Sequence, residues 1–164
     1  MEKQRKKIVR CALYTRVSTE KQVSPEGSLE SQKQRLRALL KVRTDEGEEW
    51  REAALFTEEA KSGAHTANRP EYMKMLAGIV AKQYDVVLVT ELSRITRSIQ
   101  DFCELIHTLQ EHNVQFLCLT QQFDTTSPHG RLAMNMLISV AQFERELTGE
   151  RTRENLYARA TRGL

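Results

Sequence analysis

A serine and an arginine stand together where the first apolar run of the chain ends. Residues 8–14 form that run, which predicts a short buried strand, and Arg16 and Ser18 follow it within four residues. In open α/β sheets the ligand lies beside the carboxyl ends of the strands. A hydroxyl beside a guanidinium at that position suits nucleophilic attack on phosphorus, with the arginine binding the phosphate oxygens.

Three further arginines strengthen this interpretation. Arg69 precedes a proline, and Arg94 and Arg97, at a spacing of three, follow the clearest predicted central strand. That spacing predicts that Arg94 and Arg97 share one face of a helical turn. Two adjacent guanidinium groups repel one another unless an anion lies between them, and arginine binds phosphate with two parallel hydrogen bonds. A hydroxyl among several arginines predicts a phosphoryl-transfer site that needs no metal.

Each of these residues also has a purely structural interpretation. Ser18 is compatible with a loop serine or a helix cap, Arg16 with a surface ion pair, and Arg69 with the start of a helix. The formal net charge of +3 does not by itself indicate a nucleic-acid partner. Residues 1–10 are strongly basic, which fits either a solvated terminus or a contact to DNA.

The composition limits the class of protein. The 164 residues fit one domain. Cys11, Cys103 and Cys118 form no Cys-x-x-Cys pair and no zinc spacing with the four histidines, so we expect free thiols and a cytoplasmic location. No segment approaches 18 apolar residues and no signal-peptide pattern is present, so we expect no membrane partner.

Strand and helix signals alternate along the chain, which predicts an α/β fold with a central, largely parallel sheet. Ser28 is a plausible N-cap of the first helix, and Pro70 opens the second. The predicted strands span residues 8–14, 53–57, 85–90 and 114–119, and the predicted helices span 28–43, 71–82, 99–111 and 130–162.

The last helix carries two apolar faces. One is a stripe with heptad spacing, and the other lies beside it. One face can pack on the sheet of the same chain, and we expect the other to drive self-association; the alternative is a helix buried on both sides within one domain. The stripe consists of Ala133, Met136, Val140, Phe143 and Leu147, and the second face of Met134, Leu137, Ile138 and Ala141.

Six segments together resemble one family. In this order, over nearly the whole chain, they resemble the catalytic domain of the serine recombinases (the resolvase/invertase/integrase family), and most of all its large members from phages and mobile elements. The segments are Tyr14-x-Arg16-Val17-Ser18-Thr19, Ser28-Leu29-Glu30-Ser31-Gln32, Asn68-Arg69-Pro70-Glu71, Leu92-Ser93-Arg94-Ile95-Thr96-Arg97, Gly130-Arg131 and Ala141-Gln142-Phe143-Glu144-Arg145-Glu146.

The resemblance implies a resolvase-like three-layer fold with a long C-terminal oligomerisation helix, and a mechanism. Ser18 attacks a DNA phosphodiester to give a 5′-phosphoserine link and a free 3′-hydroxyl, followed by strand exchange and rejoining without metal or other cofactor. The partners are double-stranded DNA and further copies of the chain, as a dimer and as a tetramer in the synaptic complex. The implied phosphate-binding residues are Arg16, Arg69, Arg94 and Arg97; the supporting residues are Gln22, Gln32 and Ser93; and the subunit or DNA contacts on the long helix are Met136, Val140, Phe143, Glu144, Arg145, Glu150 and Arg151.

One departure from the family pattern leaves the proton route open. Many small resolvases carry Asp-Arg where this chain has Ser93-Arg94. Either Ser93 only orients Arg94, or a group elsewhere in the site acts as the general acid or base. Two other functions are weighed: a non-catalytic DNA-associated or dimerisation module, and a small-molecule phosphatase, for which the sequence offers no Cys-x5-Arg, Asp-x-Asp or Gly-x4-Gly-Lys motif.

The predicted domain layout is simple. Residues 1–130 are expected to form the α/β catalytic core, and residues 131–164 a long helix continuous with the same domain. Because the large family members continue into DNA-binding domains, we expect the chain to be an N-terminal fragment of a longer protein.

Overall fold

The predicted α/β architecture with a largely parallel sheet is confirmed. A computed structural model of the chain describes residues 6–17, 27–45, 47–59, 69–96 and 98–161, with residues 45, 144, 145 and 154–161 described by their backbone alone. The elements are β1 (Ile8–Val17), α1 (Leu29–Asp45), β2 (Glu49–Glu59), α2 (Pro70–Val80), β3 (Val86–Val89), α3 (Leu92–Ile95), α4 (Ile99–Glu111), β4 (Gln115–Cys118), β5 (Phe123–Asp124) and α5 (Pro128–Thr161). The strand order is β2-β1-β3-β4-β5; β1 to β4 are parallel, and β5 is antiparallel to β4.

The first two strands are longer than the apolar runs predict. β1 and β2 pair over their whole length, from Ile8 opposite Glu49 to Val17 opposite Glu59. This pairing supplies hydrogen-bond partners for the backbone of charged residues as well as apolar ones, so the strands extend beyond the apolar runs in the sequence. Arg16 therefore lies within β1 and not beyond it. The predicted ends at residue 14 for β1 and at residues 53 and 57 for β2 are therefore wrong.

Helices cover both faces of the sheet, which makes three layers. On one face Leu36 and Leu40 of α1 pack against Cys11 and Leu13 of β1. On the other face α2, α4 and α5 contribute to a second cluster that includes Tyr14. Because β1 and β3 lie in the middle of the sheet, most of their residues are buried from both sides, and all four residues of β3 are buried.

The helix ends follow local chemistry. Ser28 Oγ accepts a hydrogen bond from the Ser31 amide at 3.2 Å, which confirms the predicted N-cap of α1. Ser98 caps α4 in the same way through the Asp101 amide. Gly130 lies so close to the Asp124 carbonyl that any Cβ would overlap it, which allows the first turn of α5 to pack on β5.

The two apolar faces of α5 have different surroundings. Met134 and Ala141 are buried, and Leu137 and Ile138 pack against the core. The stripe is exposed over most of its length: Met136, Val140 and Phe143 are 63%, 54% and 60% accessible. One face is thus covered by the same chain, as expected, although it packs on α4 as well as on β5 of the sheet, and the other face remains open to a partner.

The cysteines are free thiols, as predicted, with Cys11 and Cys118 buried in strands. Within the ranges described above, no helix is both long enough and apolar enough to cross a membrane.

Candidate active site

The site residues gather at the edge of the sheet where the parallel strands end. Arg16, next to last in β1, reaches across to the segment that follows β3: its Nε and Nη2 donate to the carbonyl oxygens of Arg94 and Ser93 at 2.8 and 2.6 Å. This contact joins two of the predicted phosphate-binding segments, which are 78 residues apart in sequence.

Gln32 holds the end of β1 from the side of α1. Its side chain is only 2% exposed. Its Oε1 accepts from the Arg16 amide at 3.3 Å, and its Nε2 donates to the carbonyl oxygens of Arg16 and Gly27 at 3.1 and 3.0 Å. β1 pairs with β3 only as far as Leu13, so Gln32 supplies hydrogen bonds to a part of β1 beyond that pairing.

Arg94 is a buried cation. It lies on α3 and is 7% exposed, and its Nε has no hydrogen-bond partner among the described residues. The helical turn predicted from Arg94 onward ends early, because α3 stops at Ile95 and Thr96 is extended (φ −131°, ψ 159°); Arg97 lies outside the described residues.

Arg69 is held by two tyrosine rings at the start of α2. Its guanidinium carbon lies 5.4 Å from the ring centroid of Tyr14 and 4.2 Å from that of Tyr72. Its Nη2 donates to the Tyr14 hydroxyl at 2.7 Å, while its buried Nε has no partner in the described part of the chain.

A buried carboxylate positions both tyrosines. Glu58 Oε2 accepts from the Tyr14 hydroxyl at 3.3 Å and from the Tyr72 amide at 3.1 Å. Burial raises the pKa of Tyr14 to about 12, against the lowering effect of the hydrogen bond from Arg69, so this hydroxyl stays protonated and can donate to Glu58. Sequence reasoning missed Tyr72 and Glu58; an aromatic residue three positions after Arg69 on a predicted helix is the signal that was present.

Glu91 was also missed. Its Oε2 accepts a hydrogen bond from Ser93 Oγ at 3.1 Å and lies 3.6 Å from Arg94 Nη2. The adjacent Leu92 amide donates to Gln121 Oε1 at 3.1 Å, which ties this segment to the end of β4.

Not every predicted site residue can be placed. Ser18, Gln22 and Arg97 lie outside the described residues. Glu150 and Arg151 are exposed on α5, and residues 144 and 145 are described by their backbone alone. The structure thus brings Arg16, Gln32, Ser93 and Arg94 into one hydrogen-bonded group. Arg69 contacts the same strand, β1, through the hydroxyl of Tyr14.

Two pockets differ in their relation to this edge. A groove of about 350 Å³ is lined by Arg69, Tyr72 and Thr96, next to the arginines. A larger pocket of about 580 Å³ lies at the opposite, amino ends of the strands, against Trp50 and Asp85. Chemistry and not volume therefore identifies the candidate site. Among the described residues, no group of three His, Cys, Asp or Glu side chains is arranged to hold a metal ion.

Comparison with protein families gives a match over most of the chain. The model described as "Resolvase, N terminal domain" matches residues 11–164. A probable DNA-invertase of Sinorhizobium fredii is 37% identical over 106 residues, which are 65% of this chain and 34% of that protein. The DNA-invertase of Escherichia phage P1 is 33% identical over 105 residues, 64% of this chain and 55% of that protein. The matched segments thus cover between a third and about half of these curated relatives.

Two solved structures share the fold. The N-terminal catalytic domain of TP901-1 integrase superposes with a TM-score of 0.71 at 31% identity, covering 84% of this chain and 98% of that one. A resolvase family site-specific recombinase from Streptococcus pneumoniae gives a TM-score of 0.72 at 28% identity, covering 93% and 98%.

Proposed function

The chain belongs to the resolvase N-terminal domain family, and on that premise we propose that it is the catalytic domain of a site-specific DNA recombinase. Ser18 is the proposed nucleophile. The Ser18 hydroxyl loses its proton as its oxygen bonds to the phosphorus of a DNA phosphodiester, the bond from phosphorus to the 3′-oxygen breaks, and the 3′-oxygen takes up a proton, so that the step consumes no net proton. The 5′-phosphoserine ester retains the energy of the broken bond, so rejoining needs no ATP.

The observation that carries this proposal is the state of two arginines. Arg69 and Arg94 each have a buried Nε without a hydrogen-bond partner among the described residues, at the edge where Ser18 follows β1. A buried donor without a partner costs about 1–3 kcal/mol. A phosphate that accepts from these groups removes that cost, and its negative charge grows in the transition state, where fixed guanidinium groups stabilise it most.

The remaining parts of the proposed site come from the family resemblance. Arg16 and Arg97 complete the phosphate-binding set, and Gln22, Gln32 and Ser93 support it. We propose that residues 1–130 form the catalytic core and that residues 131–164 continue it as one domain.

The proposed assembly uses α5. Its exposed stripe, with Met136, Val140 and Phe143 more than half accessible, supports self-association into a dimer and, on two DNA duplexes, a tetramer. We propose that the charged residues Glu144, Arg145, Glu150 and Arg151 make subunit or DNA contacts farther along the same helix.

A covalent-capture experiment tests the nucleophile. The full-length protein, given a nicked recombination site, should form an adduct that survives a denaturing gel, and Ser18→Ala should abolish the adduct while DNA binding persists. Ser24→Ala is the matched control and should leave the adduct unchanged. Equal adduct from Ser18→Ala would refute the assignment. Binding without any adduct would favour a non-catalytic module, and release of phosphate from small esters would favour a phosphatase.

Arginine variants test the phosphate contacts. Arg94→Ala should slow single-turnover cleavage by about 10³-fold, with a much smaller effect on DNA affinity, since the contact strengthens in the transition state. Arg94→Lys should rescue poorly because lysine lacks the planar pair of donors. A wild-type rate for Arg94→Ala would make this arginine structural.

A further inference from the structure

We infer that Glu91 is a positioning residue for Arg94 and Ser93, an inference that rests on the proposed function. One carboxylate oxygen of Glu91, Oε2, faces both partners: it accepts from Ser93 Oγ at 3.1 Å and lies 3.6 Å from Arg94 Nη2. The Arg94 side chain is 8% exposed and that of Glu91 is 31% exposed. The guanidinium is therefore desolvated, while its acidic partner remains partly open to solvent.

The distance between Glu91 and Arg94 suits a positioning role. At 3.6 Å the two groups attract each other without a close hydrogen bond. The charge of Arg94 is balanced, which a buried cation requires, yet its donors are not committed to the carboxylate. An incoming phosphate can therefore accept from Arg94 without first breaking a short ion pair.

The local backbone does not depend on the Glu91 carboxylate. Glu91 occupies the N-cap position of α3, but its side chain makes no capping hydrogen bond. The turn is held by other contacts: the Arg94 amide donates to the Glu91 carbonyl, the Thr96 amide to the Leu92 carbonyl, and the Leu92 amide to Gln121. Removing the charge of Glu91 should therefore leave the fold intact and change the orientation of the Arg94 side chain.

The position of Ser93 provides a rescue. Its Oγ lies within hydrogen-bond distance of Glu91 Oε2, so a carboxylate at position 93 would reach nearly the same place. A negative charge moved from position 91 to position 93 should still face Arg94. A residue needed only for stability would not show this exchange.

The first experiment measures single-turnover cleavage of a nicked site by the full-length protein. Glu91→Gln should lose about 10- to 100-fold in rate, the size expected for a misplaced catalytic group, with unchanged DNA affinity at a temperature where the variant is folded; its melting temperature should fall, because Arg94 loses its balancing charge. Glu111→Gln, an exposed acid on α4, is the control and should match the parent. The double variant Glu91→Gln/Ser93→Asp should recover most of the rate. A wild-type rate for Glu91→Gln, or no recovery in the double variant, would overturn the inference.

The second experiment does not need cleavage. The ¹⁵N resonance of Arg94 Nε in the folded protein should shift in Glu91→Gln and stay in place in Glu111→Gln. An unshifted resonance would overturn the Glu91–Arg94 contact whatever the activity. If the parent protein formed no Ser18-dependent adduct at all, the proposed function would be refuted instead. Failure of the Glu91 inference and failure of the proposed function are therefore distinguishable.

Discussion

Replacing Gln32 by leucine should weaken the fold and slow cleavage by the same cause. The Gln32 amide makes three hydrogen bonds, two to the backbone of Arg16 and one to the carbonyl of Gly27, at 3.0 to 3.3 Å. Leucine has a similar volume and can fill the site, but it neither donates nor accepts. The end of β1, which carries Arg16 and precedes Ser18, then loses its contacts to α1.

The magnitude follows from the number of bonds. A typical intramolecular hydrogen bond contributes about 1 kcal/mol net, so three predict a loss of about 2–4 kcal/mol in the free energy of unfolding. For a domain of this size that corresponds to a fall of about 5–15 °C in melting temperature. Gln32→Glu should be at least as damaging at neutral pH, because a carboxylate keeps the acceptor for the Arg16 amide but turns a charge toward two carbonyl oxygens.

Urea denaturation and single-turnover cleavage at a temperature where every variant is folded measure the two effects. Gln34→Leu, an exposed position on the same helix, is the matched control and should change stability by less than about 0.5 kcal/mol. Stability and rate both at wild-type values in Gln32→Leu would refute the reasoning. A loss of stability with an unchanged rate in the folded protein would show that Gln32 supports the fold alone.

Three further outcomes are expected. Tyr72→Leu removes the ring 4.2 Å from Arg69 and should slow cleavage more than it weakens DNA binding, whereas Tyr72→Phe keeps the ring and should match the parent; equal rates for both would exclude the ring contact. The hydrogen bond from Arg10 holds the pKa of Asp85 below its usual range, so this pair stabilises the fold above the unfolded pKa of about 3.9 and ceases to do so as pH falls through the lower folded value. Asp85→Asn should therefore reduce the loss of stability between about pH 5 and 2 in urea denaturation, and an unchanged acid profile would contradict this. Phe143→Glu should shift the protein toward monomer in sedimentation velocity, since it places a charge in the exposed stripe of α5; an unchanged distribution would remove this residue from the interface.

The course of the chain is predictable where one local signal dominates. α4 runs over the predicted residues 99–111 because Ser98 caps its start and its apolar residues recur with helical spacing. The extent of β1 and β2 is not predictable in this way, since Arg16 and Glu58 lie inside strands whose length is determined by mutual pairing. β5 has only two residues, too few for any periodicity.

In the candidate site, too, the residues with a local sequence signal were predictable, and those positioned by long-range packing were not. Arg16, Arg69 and Arg94 stand in local patterns that point to phosphate chemistry, and Gln32 was expected from the family resemblance; the structure places them at one edge of the sheet. Their partners come from other segments, such as Glu58 from β2, which accepts hydrogen bonds from the Tyr14 hydroxyl and the Tyr72 amide, and only the packed fold brings these together. The helical turn expected from Arg94 onward ends at Ile95 for a local reason: a spacing of three places two side chains on one face only where the backbone is helical, and Thr96 is extended.

Arg69 and Arg94 of the candidate site differ from an arginine with a structural role in how they are paired with carboxylates. Arg37 forms a close pair with Glu52, with both guanidinium bonds at 2.7 and 2.9 Å. Arg69 instead lies between aromatic rings with a phenol as acceptor, and Arg94 keeps its carboxylate, Glu91, at 3.6 Å. An anion that reaches Arg69 and Arg94 therefore displaces no short ion pair and gains two desolvated cations. On the proposed function, DNA affinity arises from many phosphate contacts and cleavage from these few, so substitutions at this edge should change the rate far more than the binding.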